Sequence, residues 1–91
     1  MGMDMKADRL QGAEDWARNY LAELLDVAPS EIDPDQPFER FGLDSAATVA
    51  FASDLGRWLG VKLDSKILYQ YDTISAVTAH LREALGDRVR G

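Results

Sequence analysis

Few residues of this chain could do chemistry, and one serine stands out among them. The stretch FGLDSAATVAF, residues 41–51, places Ser45 after a glycine turn and an aspartate, where a helix-favouring run begins. Used as a helix cap, the hydroxyl of Ser45 would stabilise the helix by about 1 kcal/mol. Asp44 could cap the same helix alone, and the backbone N–H groups at a helix N-terminus favour an attached phosphate. The sequence therefore permits either a capping serine or a modified one.

Most catalytic and metal-binding arrangements are disfavoured by the composition. The chain has no cysteine, which excludes disulfides, thiolate catalysis and cysteine-type zinc sites and indicates a cytoplasmic location. Its one histidine, His80, is far along the chain from Ser45, so a hydrolase-like triad is not expected. The acids from Asp33 onward do not form a calcium-binding EF-hand loop, because Phe38 stands where that loop needs glycine. We expect neither catalysis nor a metal site.

The charge of the chain is negative and unevenly distributed. The net charge is −6, and residues 23–54 hold eight acids but only one base, Arg40. Such a surface repels nucleic acid and anionic lipid and attracts basic protein partners. No stretch approaches the roughly 20 apolar residues of a membrane span. Protein partners are therefore expected, rather than nucleic acid or a membrane.

Three longer helices and one short helix are predicted to position Ser45. Apolar residues recur at helical spacing in three segments, and no segment alternates strictly as a half-buried strand would. The predicted helices cover about 8–26, 45–59, a short turn within DSKILYQY, and 73–86, with Gly60 and Gly86 as stops. The fold class is all-α, a small four-helix bundle. Residues 1–91 should form one domain, with flexible ends at 1–7 and 87–91.

The helical stripes also predict which residues are buried. In the second helix, Thr48, Ala52 and Ser53 are expected to face solvent, and Gly56 is expected to weaken the helix. Five apolar residues of that helix are expected to face inward: Val49, Phe51, Leu55, Trp58 and Leu59. The predicted core consists of Trp16, Leu21, Leu55, Trp58, Val77 and Leu81, together with Phe38 from the loop that precedes the second helix.

A long loop connects the first two predicted helices. All three prolines of the chain lie in VAPSEIDPDQPFERFGLD, and prolines at this density preclude a long helix. Roughly 18 residues is long for a loop in a compact domain, where such loops are usually functional or disordered. Ile32, Phe38 and Phe41 are spaced as apolar anchors, which argues against disorder. We predict a folded, functional loop that ends at Ser45.

The motif GLDS, followed after a helix by LGVKL and then by LYQYDTISAVTAHL, resembles the acyl carrier protein family. The resemblance covers the chain from the region of Trp16 to Leu85. It implies a four-helix carrier bundle in which Ser45, preceded by Asp44, bears a covalent 4′-phosphopantetheine arm from coenzyme A. The thiol of that arm would hold acyl groups as thioesters. The resemblance thus implies a non-catalytic carrier that is a substrate of partner enzymes.

Several positions depart from the common pattern of that family. Ala46 stands where leucine usually follows the serine, and Asp72 stands where proline usually precedes the last helix. Carriers of dissociated fatty acid synthesis have acids along the second helix, whereas this chain has Ala47, Ala50, Gly56 and Arg57. The chain is more similar to carriers of polyketide and related lipid or natural-product assembly lines. A peptidyl carrier of nonribosomal synthesis is the nearest alternative, although such carriers commonly have GG before the serine motif. An unmodified acidic helical adaptor is the alternative from another class.

The resemblance also implies a set of partner enzymes for a monomeric carrier. They are a phosphopantetheinyl transferase, an acyl-loading enzyme (an acyltransferase or an acyl-AMP ligase), and a ketosynthase or other synthase domains. Brief docking on several enzymes favours electrostatic steering over a large apolar interface. The predicted docking face consists of Glu31, Asp33, Asp35, Glu39 and Asp44, with modest apolar contact from Leu43, Ala46 and Val49.

Overall fold

Four α-helices make up the fold in the computed structural model, which describes residues 9–90 and the side chains of residues 9–85. They are α1 (Ala13–Leu25), α2 (Ser45–Leu59), α3 (Ile67–Gln70) and α4 (Ile74–Arg90). Residues 9–11 are also helical and lead into a turn at Gly12. No β-strand occurs between residues 9 and 90. The predicted all-α fold, with three longer helices and one short helix, is confirmed.

The bounds of α2 agree with the prediction, but the first and last helices differ from it. A turn at Gly12 interrupts the predicted helix 8–26, so that α1 begins at Ala13. Gly60 ends α2 in the left-handed conformation, at φ 77°, as its position predicted. Helix α4 does not stop at Gly86 but continues to Arg90, so that predicted stop is wrong. A glycine inside a helix costs about 1 kcal/mol, which a helix of this length tolerates. The predicted flexible end 1–7 lies outside the described residues, and flexibility of 87–91 stays a prediction.

The core lies where α1, α2 and α4 meet. Leu21, Leu55 and Val77 are fully buried, with Leu81 and Phe38 nearly so, as predicted. Trp16 and Trp58 are only partly buried and stack on one another at the edge of the core, with ring centroids 5.6 Å apart. The centre is instead occupied by Phe51, whose ring contacts those of Trp16, Tyr20 and Phe38.

The predicted inward face of α2 was wrong at three positions. Thr48 is only 7% exposed and Ala52 only 1%, whereas Val49 is 54% exposed. Thr48, Ala52, Leu55 and Leu59 form one stripe with steps of four, three and four residues, which is the helical repeat that faces the core. The polar group of Thr48 is satisfied there, since its hydroxyl donates to the Asp44 carbonyl oxygen at 2.9 Å. Hydropathy alone assigned Thr48 and Val49 to the wrong sides.

Gly56 has a packing role that its low helix propensity did not reveal. It is buried, and a Cβ atom built on it would lie 2.6 Å from the carbonyl oxygen of Val61. The chain that leaves α2 therefore folds back against the helix at this glycine. The amide of Val61 donates to the Gly56 carbonyl oxygen at 2.8 Å. Only a residue without a side chain permits this approach.

The long loop between α1 and α2 is folded, as predicted. It contains two short 3₁₀ turns, Pro29–Glu31 and Phe38–Phe41, and buries Ile32 and Phe38. Two backbone hydrogen bonds fasten it to the chain before and at the start of α4. The amide of Phe38 donates to the Asp72 carbonyl oxygen at 2.8 Å, and that of Ser75 donates to the Pro34 carbonyl oxygen at 2.9 Å. The loop is thereby held against the bundle as it approaches Ser45.

Candidate functional site

The start of α2 shows which of two neighbouring residues caps the helix. The Oδ1 atom of Asp44 accepts a hydrogen bond of 2.7 Å from the amide of Ala47, which is the geometry of an N-cap. Ser45 is the first residue of the helix and is exposed. Its hydroxyl makes no hydrogen bond to any other residue in the described part of the chain. The capping function belongs to Asp44, and the Ser45 hydroxyl is free.

The backbone around Asp44 holds this arrangement in place. Gly42 takes a φ of 75°, which residues with side chains rarely adopt, and it ends the Phe38–Phe41 turn. The chain then turns at Asp44, whose carbonyl oxygen accepts bonds of 2.9 Å from both the amide and the hydroxyl of Thr48. Asp44 is therefore bound to the helix by its main chain and by its side chain, which orients the next residue, Ser45.

The residues at this point fit a covalently attached phosphodiester. The amides of Ser45 and Ala46 have no hydrogen-bond partner within residues 9–90, and they lie at the positive end of a 15-residue helix. Ala46 and Val49 are small and exposed, which leaves space around the serine. One carboxylate, that of Asp44, is close in sequence, but it is committed to the Ala47 amide. An attached phosphate would have N–H donors without any basic side chain.

A cleft of about 400 Å³ opens beside the start of α2. Apolar and polar side chains from the long loop, α2, α3 and the α3–α4 connection line it: Phe38, Glu39, Leu43, Thr48, Leu68, Tyr69 and Asp72. Tyr69 is 69% exposed, the highest value for a large apolar side chain among the described residues. Sequence reasoning did not select Tyr69. Helical spacing could have indicated that Tyr69 is exposed. Leu68 and Tyr71, three residues apart, face inward, and the residue between them that follows Leu68 then faces outward.

The predicted docking residues lie at the surface, with one partial exception. Glu31, Asp33, Asp35, Glu39, Asp44, Ala46 and Val49 are exposed, whereas Leu43 is half-buried and packs against the core. Two of the acids also hold the loop: Glu31 accepts from the Ala28 amide, and Asp33 accepts from the Asp35 amide, both at 2.9 Å. None of these acids forms a salt bridge with a described residue. Their charges are therefore open to solvent.

His80 takes part in packing with Tyr71. The ring of His80 stacks on that of Tyr71, with centroids 4.1 Å apart and an interplanar angle of 12°. Within residues 9–90, no cluster of three or more His, Cys, Asp or Glu side chains is placed to hold a metal ion. None of the described helices is long and apolar enough to cross a membrane.

Comparison with known proteins identifies the family of the chain. Residues 15–81 match the family described as a phosphopantetheine attachment site. This chain belongs to the phosphopantetheine-binding carrier family. Proteins of this family carry covalently attached 4′-phosphopantetheine, and the exposed hydroxyl and unpaired amides at the start of α2 fit that group. A solved structure of a carrier protein, described below, has a similar fold.

Individual relatives of this carrier include an acyl carrier protein, a polyketide synthase and a peptidyl carrier protein. It is 37% identical over 68 residues to the acyl carrier protein TtuC of Teredinibacter turnerae, covering 75% of this chain and 78% of that protein. It is 38% identical over 58 residues, 64% of this chain, to the polyketide synthase ThaG of Burkholderia thailandensis, of which it spans 1%. A free-standing peptidyl carrier protein from an Acinetobacter baumannii secondary metabolic pathway has a similar structure, with a TM-score of 0.76 and 32% identity. That match covers 84% of this chain and 95% of the peptidyl carrier.

Proposed function

We propose that this carrier is an acyl carrier protein and that Ser45 is the residue to which phosphopantetheine is attached. One observation carries the proposal: Asp44 caps α2 through the Ala47 amide, so the exposed hydroxyl of Ser45 has no structural partner among the described residues. A serine needed only for capping would be redundant beside Asp44. A serine that must react with coenzyme A needs a free, exposed hydroxyl held in a defined place.

The residues near Ser45 have separate tasks in this proposal. The hydroxyl oxygen of Ser45 would lose its proton and attack the phosphate of coenzyme A that bears the pantetheine arm. The pyrophosphate bond would break and adenosine 3′,5′-bisphosphate would leave, in a magnesium-dependent step catalysed by a separate phosphopantetheinyl transferase. The amides at the start of α2 would offset the negative charge of the phosphate. When attached, the arm supplies a thiol that holds acyl groups as thioesters. The chain itself would present the arm and would not catalyse a reaction.

The distribution of charge supports docking by the loop that precedes Ser45. Glu31, Asp33, Asp35 and Glu39 are exposed, and Asp44 stands beside the reactive serine. An enzyme with a basic surface around its active-site entrance would be steered toward this end of the bundle. Val49, at 54% exposure, and the small Ala46 would supply apolar contact, while the half-buried Leu43 would supply less. The partners would be the transferase, an acyltransferase or acyl-AMP ligase, and a ketosynthase or other synthase domain.

The names of the relatives favour a polyketide-type pathway for the proposed carrier. TtuC is named an acyl carrier protein and ThaG a polyketide synthase, and the sequence FGLDS lacks the paired glycines common in peptidyl carriers. The similar structure of a peptidyl carrier supports the second candidate, a peptidyl carrier of nonribosomal synthesis. In either case we place the protein in the cytoplasm as a monomer and as a single domain. Mass spectrometry of the acyl or aminoacyl adduct recovered from the native host distinguishes these two candidates.

Intact-mass measurement tests the attachment site directly. The full chain is incubated with coenzyme A, magnesium and a broad-specificity phosphopantetheinyl transferase, with a known carrier modified in parallel. We expect the parent to gain one phosphopantetheine and Ser45→Ala to gain none. Ser53→Ala is the matched control, because Ser53 is also an exposed serine of α2. Its modification should equal that of the parent.

Two results would count against the proposal. Modification of Ser45→Ala would place the arm on another residue. A parent that stays unmodified while the known carrier is converted would support the unmodified adaptor instead. Helical circular dichroism of Ser45→Ala should match that of the parent, since Asp44 still caps α2. Loss of modification therefore cannot be attributed to loss of the helix.

A further inference from the structure

The far end of α2 has the opposite charge from the end that bears Ser45. Residues 55–71 hold three bases, Arg57, Lys62 and Lys66, and one acid, Asp64, whereas residues 23–54 hold eight acids and one base. Arg57 is twelve residues from Ser45, which is about 18 Å along the helix axis at 1.5 Å per residue. The surface of this protein is therefore polarised along α2, and the basic end has no part in the proposed attachment chemistry.

Two of these bases line one cleft. The cleft has a volume of about 400 Å³ and is formed by Ser53, Arg57, Val61, Lys62 and Leu63. Arg57 and Lys62 are exposed, and neither forms a salt bridge with another of the described residues. Val61 and Leu63 are half-buried, so the floor between the two cations is partly apolar. The cleft thus combines positive charge with apolar surface.

The folding-back of the chain after α2 builds this cleft. Gly56 allows Val61 to lie against the helix, and Gly60 makes the reversal in the left-handed conformation at φ 77°. Lys62 is thereby brought alongside the last turns of α2, which carry Ser53 and Arg57. Arg57 alone would be explained by its position in the last turn, where a cation offsets the negative end of the helix. That explanation does not extend to Lys62, which lies beyond the helix.

We propose that this cleft binds an acidic segment of a partner protein in which carboxylates alternate with apolar side chains. Carboxylates would pair with Arg57 and Lys62, and an apolar side chain would contact Val61 and Leu63. A small free anion fits less well, because the amides of Gly60 and Val61 already donate to the Arg57 and Gly56 carbonyl oxygens. The two amides at the reversal of the chain are therefore not available to hold a phosphate. The inference does not depend on the modification of Ser45.

The two ends of α2 would then recognise different partners. Enzymes with basic surfaces would dock beside Ser45, and an acidic segment would dock about 18 Å away along the helix. Since the two surfaces do not overlap, an acidic tether could hold the carrier near its enzymes while the Ser45 end remains available. Charge of opposite sign at the two ends would also disfavour binding in the reversed orientation.

Nuclear magnetic resonance of the full ¹⁵N-labelled chain tests the proposal at low salt. The probe is the blocked hexapeptide Glu-Leu-Asp-Glu-Leu-Asp, with Lys-Leu-Lys-Lys-Leu-Lys and inorganic phosphate as comparison ligands. We expect the acidic peptide to shift the amide signals of residues 53, 57 and 61–63, and these shifts to become smaller as salt is added.

Lys62→Glu should weaken the apparent affinity for the acidic peptide roughly fivefold or more, since a surface attraction becomes a repulsion. Lys66→Glu, which makes the same charge change outside the cleft, should have a smaller effect.

Each alternative occupant of the cleft predicts a different experimental result. Equal shifts with inorganic phosphate would show a small-anion site, and equal weakening by Lys62→Glu and Lys66→Glu would show attraction without a defined cleft. Self-association detected by sedimentation and removed by Lys62→Glu would identify a second copy as the occupant. Absence of shifts in residues 53–63, or shifts elsewhere only, would also overturn the proposal. Arg57→Gln and Lys62→Gln, which remove charge without reversing it, should weaken binding while the spectrum otherwise remains that of the folded parent.

Discussion

The hydroxyl of Tyr20 donates a hydrogen bond of 2.7 Å to the Oδ2 atom of Asp54, joining α1 to α2, the helix that carries Ser45. Burial of Tyr20, together with this bond and the negative charge of Asp54, raises the pKa of Tyr20 to about 12 from the ordinary value of 10.0. The bond requires the protonated phenol. Tyr20 therefore helps to fix the position of α2 only while it remains neutral.

A pH-dependent loss of stability follows from the raised pKa of Tyr20. Because the pKa in the folded state exceeds that in the unfolded state, the stabilisation is fully present below pH 10 and is lost as pH rises toward 12. Ultraviolet titration of the phenols should show one of the three tyrosines ionising late. Tyr20→Phe should remove that late step and flatten the dependence of unfolding free energy on pH in this window. A late step retained in Tyr20→Phe would assign it to Tyr69 or Tyr71.

Removing the cap of α2 should cost more stability than removing the neighbouring hydroxyl. Asp44→Ala deletes the acceptor of the Ala47 amide and should lower the unfolding free energy by about 1 kcal/mol. Ser45→Ala removes a hydroxyl without a partner in the described structure and should stay within about 0.5 kcal/mol of the parent. Asp44→Asn should largely retain the cap. Urea unfolding measures all three, and equal costs for Asp44→Ala and Ser45→Ala would show that both residues cap the helix.

Changing a leucine to alanine should lower the free energy of unfolding much more at a buried position than at an exposed one. Leu55 is fully buried and Leu81 is 2% exposed, so changing either to alanine should cost roughly 2 to 5 kcal/mol. That is a large fraction of the 5 to 15 kcal/mol typical of a small domain. Leu24→Ala is the matched control, since Leu24 lies in α1 and is 48% exposed. Unfolding midpoints in urea that are the same for Leu55→Ala and Leu24→Ala would contradict the described core.

Gly56→Ala should destabilise the protein, whereas a glycine-to-alanine change in a helix usually stabilises it. In an open helix the change would stabilise by about 1 kcal/mol. Here the new Cβ would lie 2.6 Å from the Val61 carbonyl oxygen, a backbone atom that can move only if the chain after α2 moves. We expect net destabilisation on thermal unfolding. Ser53→Ala, at an exposed position of the same helix, should be neutral or slightly stabilising, and a stabilised Gly56→Ala would show that the chain beyond Gly60 shifts freely.

If partner enzymes dock on the proposed acidic face, the rate of acyl loading should depend on salt concentration. Charges of exposed acids are screened within about 10 Å at 0.1 M salt, so acyl loading by a cognate enzyme should slow as ionic strength rises. Asp35→Lys or Glu39→Lys should raise the apparent KM more than it changes kcat, because encounter rather than chemistry is weakened. Asp15→Lys, which reverses an exposed acid of α1 outside this face, should have less effect.

The competing account assigns docking to apolar contact beside Ser45. Ala46→Glu tests it, and Val49→Ala adds a second position, since Val49 is 54% exposed. Rates that are independent of salt, with only Ala46→Glu and Val49→Ala impaired, would rule out electrostatic docking while leaving the carrier function intact. Circular dichroism of each variant checks that the change in rate does not reflect loss of the fold.

Much of the site was predictable from local features of the sequence. The helical repeat of apolar residues, the glycine at position 60 and the proline-rich loop each depend on neighbours within a few positions, so the sequence alone located α2 and placed Ser45 at its start. The short motif GLDS and its surroundings were enough to indicate the carrier family. The stop predicted at Gly86 failed because a glycine is compatible with either a helix end or a helix interior.

The tertiary structure decided between alternatives that local sequence patterns could not distinguish. Asp44 and Ser45 are both good caps, and the approach of the chain through Gly42 determined that Asp44 takes the Ala47 amide and leaves the serine hydroxyl free. Thr48 faces inward and Val49 outward because the burial of Leu55 and Leu59 in the core sets the rotation of the whole helix. The cleft beside Tyr69 joins residues from separate elements that only long-range packing brings together, whereas the cleft between Arg57 and Lys62 depends on how the chain folds back after α2.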